Sequence, residues 1–74
     1  MTENVVSSLR ELRTRADMTQ SEIAEAAGVT RQTIIAIEKG NYTPSVLLAL
    51  KLARVLKVTV EELFDYVEEI QRKR

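Results

Sequence analysis

The 74-residue sequence predicts an all-α fold, a compact domain of five helices in which the second and third form a helix-turn-helix. Three observations lead there. Apolar side chains recur at three- and four-residue spacing along nearly the whole chain. Threonines that can cap a helix stand at the head of most of the periodic segments, twice with a glutamate three residues later. The two glycines and the single proline fall only in the breaks, so local propensity and global pattern agree. No linker, low-complexity segment or repeat divides the chain. Residues 1–74 therefore read as a single domain, with residues 60–74 expected to supply a dimerisation helix and tail.

Each element has its own signals. Val5, Val6, Leu9, Leu12 and Ala16 share one face of a first helix that Asn4 would cap, and Asp17-Met18 lies in the break. Thr19 opens the second helix, where its hydroxyl and the Glu22 carboxylate can satisfy each other's backbone N–H groups. Met18 and Ile23 hold the staple positions, and Ile23, Ala26 and Ala27 give the buried stripe. Gly28 stops this helix by taking the left-handed conformation that a side chain disfavours. Thr30 opens the third helix, Val29 and Ile34 repeat the staple, and Ile34 and Ile37 face inward. Gly40-Asn41 ends it. Thr43 as cap and Pro44 at the first helical position open a fourth helix, whose expected buried face is Val46, Leu47, Leu50, Ala53, Leu56 and part of Leu52. Thr59 and Glu62 repeat the capping arrangement before a fifth helix that carries Leu63, Phe64, Val67 and Ile70.

Composition removes several function classes. There is no cysteine and no histidine, so thiolate chemistry, disulfides and the commonest general base and metal ligand are absent. The carboxylates are scattered along helical stretches, so no enzyme, metal or cofactor is expected, and no small-molecule effector site is evident. No stretch approaches the roughly 20 apolar residues that span a bilayer, and the first residues lack the basic-then-apolar order of a signal peptide. The expectation is a soluble, cytoplasmic protein with no membrane partner. Net charge is zero, but it is unevenly spread. Residues 1–57 hold eight basic and six acidic side chains, whereas residues 58–71 hold five acidic ones and no basic one. That distribution leaves room for a positive face on the first part of the chain.

Residues Thr19 to Gly40 are the informative stretch. Two short helices joined by a turn of about three residues, with small Ala24 and Ala27 permitting close approach, fit a pair in which one helix crosses DNA and the next enters the major groove. The alternative is a plain corner of a helical bundle.

The stretch MTQSEIAEAAGVTRQTIIAIEKGNYTPSVLLALKLARVLKVTVEELF resembles the repressor family typified by the phage lambda and 434 repressors and Cro, in its short single-domain bacterial members. The resemblance rests on Thr-Gln, then Ala-x-x-x-Gly-Val-Thr, then Ile-x-x-x-Glu-x-Gly, with Pro-Ser and Leu-Phe further on, and it covers most of the chain. It implies a lambda-repressor-like DNA-binding domain. Carried over by position, it implies that Gln20 binds a DNA phosphate and that Arg31 and Gln32 reach base edges. Thr33 would touch phosphate or base, and Ala36 would face the groove. Lys39, Asn41 and Tyr42 would meet the backbone beyond the recognition helix, and Arg13 and Glu38 would form a buried ion pair.

The chemistry of the residues points the same way. Arg31 has the fork that matches guanine O6 and N7, and Gln32 can pair with adenine N6 and N7. Both sit in the first turn of their helix, and Gln20 opens its own. The alternative for each is an ordinary surface side chain. Ile35 is left over from the inward face, so it meets a thymine methyl group or else packs under the partner-facing edge or against Tyr42. One such helix reads only a few base pairs, so two half-sites and a homodimer are expected, with Val60, Tyr66, Val67 and Ile70 as the contact, as a helix or as a C-terminal strand. The expected function is a sequence-specific double-stranded DNA-binding transcriptional regulator, a repressor on a palindromic operator. Two alternatives stay open: a DNA-binding antitoxin that also masks a partner toxin, and a protein-interaction module that uses the same helices without DNA.

Overall fold

A computed structural model describes residues 2–69. Five helices, α1 (Leu9–Arg15), α2 (Gln20–Ala27), α3 (Arg31–Lys39), α4 (Val46–Leu56) and α5 (Val60–Leu63), form a body between two terminal strands, β1 (Thr2–Ser7) and β2 (Phe64–Glu69). The fold is mostly helical, as the sequence predicts, and the helix-turn-helix is α2–α3.

The capping signals work as read at three helix starts. Thr19 and Glu22 form a reciprocal box at α2, with Glu22 N donating to Thr19 Oγ1 at 3.0 Å and Thr19 N donating to Glu22 Oε1 at 2.8 Å. Thr59 and Glu62 do the same at α5. Thr30 Oγ1 accepts from Thr33 N at α3. The first four helix ends share one design. At Gly28 and Gly40 the backbone turns left-handed, with φ of 74° and 80°. Each sends its own N–H and that of the next residue back to the final turn, a Schellman closure. Asp17 and Lys57 make the same closure at φ 59° without being glycine, so α1 and α4 stop at residues that pay a steric cost of about 1–2 kcal/mol for the left-handed region.

The core is small and entirely apolar. Leu9, Ile23, Ile34, Ile37, Leu52 and Leu63 are fully buried, and among the described residues no polar side chain joins them. One buried side chain or more comes from each of the five helices. Met18, Val29, Val60 and Phe64 pack around the margin.

Four expectations change. Val5 and Val6 lie in a strand, not in the first helix, so Asn4 is no cap; Ser8 takes that place, and Ala16 is exposed just past the helix. The adjacent β-branched pair suits a strand once a partner exists, and the partner lies at the far end of the chain. In α2 the buried stripe is Ile23, Ala24 and Ala27, with Ala26 exposed. In α4 the cap is Ser45, whose Oγ accepts from Leu48 N at 3.1 Å, and Thr43-Pro44 remains in the loop. Its buried face is Leu48, Ala49, Leu52, Ala53 and Leu56, which leaves Val46, Leu47 and Leu50 exposed. Finally, α5 lasts one turn. Phe64 takes extended backbone, φ −131° and ψ 142°, and the expected helical tail is β2 instead. Ile70 lies outside the described residues.

β1 and β2 pair antiparallel, Ser7 opposite Phe64 and Thr2 opposite Glu69, and Ser8 N donates to Leu63 O at 2.8 Å where the ribbon meets the body. Its six-residue strands lie on a molecule 47 Å long and 21 Å across. Val5 stands opposite Tyr66, and Val6 opposite Asp65, with Val67 one step diagonal to it on the same face. All four apolar or aromatic side chains are exposed.

Candidate nucleic-acid interface

The site is built on a three-way clasp. Arg13 of α1 donates from Nε to Glu38 Oε2 at 2.7 Å and from Nη2 to Glu38 Oε1 at 3.3 Å. Its Nη1 donates to the carbonyl of Met18, in the α1–α2 turn, at 2.8 Å. Gln20 Nε2, from the first residue of α2, donates to Glu38 Oε1 at 3.0 Å. The Arg13 and Glu38 side chains are only 13% and 5% exposed. A pair this sheltered has lost most of its hydration, so its value lies in fixed geometry more than in net stability. It holds α1, the start of α2 and the end of α3 in one orientation. Among the described residues no buried side-chain polar atom lacks a partner.

On that frame the third helix presents its first turn. Arg31 and Gln32 are exposed directly after the Thr30 cap. Both side chains carry hydrogen-bonding groups that match base edges, and both are free of the core. Thr33 is half-buried, with its hydroxyl 3.1 Å from that of Thr30. Ile35 and Ala36 are half-buried on the same helix. Lys39 is exposed at its end, followed by exposed Asn41 and Tyr42.

Two shallow grooves bring these residues into groups. One, of about 350 Å³, joins Arg31 to Gln20 and Ser21 at the start of α2, to Thr14 in the last turn of α1 and to Asp17 just past it. Another, of about 340 Å³, joins Gln20, Ile35 and Lys39 to Arg10 and the Arg13–Glu38 pair. Tyr42 is not part of either. It lines a separate groove with Val29, Leu47 and Lys51, so Ile35 and Tyr42 lie in different grooves. Gln20 is half-buried and tied to Glu38 rather than freely exposed.

Two features escaped the sequence reading. The Gln20–Glu38 hydrogen bond joins residues 18 apart on different helices, and nothing local announces it. Arg10 was legible: it precedes Arg13 by three residues, which puts both on one face of α1.

The remaining candidates sit elsewhere. Val60 is half-buried against the core, while Tyr66 and Val67 are exposed in β2. No helix among the described residues is long and apolar enough to cross a membrane, and no group of three acidic side chains among them could hold a metal ion.

Comparison with known proteins agrees with this geometry. Residues 9–63 match the family model described as helix-turn-helix. An uncharacterized HTH-type transcriptional regulator of Archaeoglobus fulgidus is 48% identical over 61 residues, 82% of this chain and 87% of that protein. The cryptic phage CTXphi transcriptional repressor RstR of Vibrio cholerae is 39% identical over 57 residues, 77% of this chain and 51% of that protein. Among solved structures, the restriction-modification controller protein C.AhdI of Aeromonas hydrophila superposes with a TM-score of 0.69 at 35% identity, over 73% of this chain and 82% of that one.

Proposed function

The chain belongs to this helix-turn-helix family of DNA-binding transcriptional regulators, and from that premise we propose that it represses transcription by binding a palindromic operator as a homodimer. One observation carries the reading: Arg31 and Gln32 stand exposed in the first turn of α3, beside Gln20 at the start of α2. Base-edge donors at the tip of one helix and an amide at the tip of its neighbour suit a head that reads bases and grips the flanking phosphates. Arg31 pairs with a guanine and Gln32 with an adenine. Thr33, Ile35 and Ala36 line the groove, and Ile35 and Ala36 offer apolar contact to thymine methyl groups. Gln20, Lys39, Asn41 and Tyr42 meet the backbone.

The homodimer reading is supported by the ribbon. Two strands alone are marginal in water, and each here has an edge unpaired among the described residues. Exposed Val5, Val6, Tyr66 and Val67 give both faces apolar surface that a second copy would cover. The body-side Val60 contributes less, because it already packs on the core. A domain bound across a promoter blocks other proteins there, which is repression without any further contact. The similarity to a phage repressor supports the same direction.

Selection of bound sequences from a random duplex library, then sedimentation with the selected duplex, tests the proposal. Two chains per palindromic site, with affinity falling steeply as salt rises, is the expected result. One chain per complete site refutes the dimer, and a flat salt response refutes backbone binding.

A further inference from the structure

The α1 surface beside the recognition helix is not used by the reading above. Arg10 is exposed on it, and it forms one wall of the groove whose other members are Arg13, Gln20, Ile35, Glu38 and Lys39. Three cations line that groove against a single carboxylate. The carboxylate is Glu38, already engaged by Arg13 and Gln20. Arg10 and Lys39 form no ion pair among the described residues, so the groove lining carries a surplus of positive charge. The Gln20 amide spends one of its two N–H groups on Glu38, and an incoming oxygen can take the other. Ile35 ties the groove to the face of α3 one turn beyond Arg31.

We propose that this groove seats one phosphodiester of the bound DNA strand and that Arg10 is a further backbone contact, reaching the phosphate from α1 while Lys39 meets it from α3. The assignment rests on the DNA-binding reading above and extends its footprint from two helices to three. A guanidinium on α1 stands outside the major groove, so it meets the charged backbone and not base edges. It adds affinity and register without adding sequence preference.

The experiment is fluorescence anisotropy of the full chain on its selected duplex, titrated with salt, for wild type, Arg10→Ala, Arg10→Lys and Arg54→Ala. Arg54 is exposed on α4 and lines none of the grooves at the reading head. Each lost phosphate contact removes about 0.9 from the slope of log affinity against log salt. Between 50 and 200 mM salt the wild-type affinity drop should therefore shrink in Arg10→Ala by about threefold per contact, or about tenfold for the two contacts of a dimer. Arg10→Lys should keep the slope, Arg54→Ala should leave it unchanged, and single-base operator variants should keep their ranking in Arg10→Ala. Circular dichroism checks each fold. An unchanged slope in Arg10→Ala, or an equal loss in Arg54→Ala, overturns the assignment while duplex binding by the wild type leaves the DNA-binding reading standing. Failure of the wild type to bind any duplex overturns both.

Discussion

The helical body and the terminal ribbon are built to opposite rules. In the body the six fully buried side chains, the capped helix starts and the Arg13–Glu38–Gln20 clasp leave little unsatisfied. In the ribbon the two six-residue strands pair, among the described residues, only with each other, and Val5, Val6, Tyr66 and Val67 are exposed. The body fixes the relative placement of α1, α2 and α3 by itself. The ribbon leaves apolar surface that the proposed second copy would cover. Under the proposed function, base reading falls to the body and assembly to the ribbon, so the two should fail separately under mutation.

The largest effect is expected in the body. Glu38→Ala leaves the sheltered Arg13 guanidinium with the Met18 carbonyl but no counter-charge, and removing one partner of such a pair costs about 3–5 kcal/mol. Thermal unfolding followed by circular dichroism reads this directly, and a loss below 1 kcal/mol would reduce the clasp to a surface contact. The ribbon comes next. Val67→Asp should weaken the dimer by about 2 kcal/mol, roughly thirtyfold, with little change in the folded monomer. Sedimentation equilibrium together with melting at several protein concentrations separates the two effects, and loss of the folded monomer would instead place Val67 in the body's own stability.

Smaller effects sharpen the contrast within the body. Thr19→Ala removes one half of the capping box at α2 and should cost about 1 kcal/mol, measured by urea denaturation with an unchanged m-value. Lys57→Gly relieves a left-handed backbone at φ 59°. Glycine's greater freedom in the unfolded chain offsets part of that gain, so a stabilisation of about 0.5 kcal/mol is expected from the same denaturation curves. A destabilised Lys57→Gly would mean that the lysine side chain does more than end the helix.

What the sequence revealed follows the range of the interaction responsible. Caps act over three residues and Schellman closures over five, so α2, α3 and their turn were legible from Thr19, Glu22, Gly28, Thr30 and Gly40. The exposed Arg31 and Gln32 followed from their place beside a cap. The ribbon was hidden because Val5 pairs with Tyr66, across nearly the whole chain, and Val5 and Val6 also fit a helical stripe continuing to Leu9. The buried face of α4 was ambiguous for another reason. Only Lys51 and Arg54 are polar in its sequence, so more than one apolar stripe could be drawn, and packing against α2 and α5 chose the one through Leu48 and Leu52. Lys57 gave no warning as a helix stop because lysine rarely adopts the left-handed region. The Gln20–Glu38 bond depends on the packing of α2 against α3 and has no local signature.

The central claim is that the first turn of α3 reads bases, and the base preference of Arg31→Ala tests it most directly. The variant is taken through selection from a random duplex library beside the wild type, then measured on the wild-type operator and its single-base variants. The expected result is a cost of roughly 1–3 kcal/mol on the operator and relaxed preference at one symmetric position, with the remaining positions unchanged. Recovery of the wild-type operator with every position intact would contradict the account and move base recognition off α3.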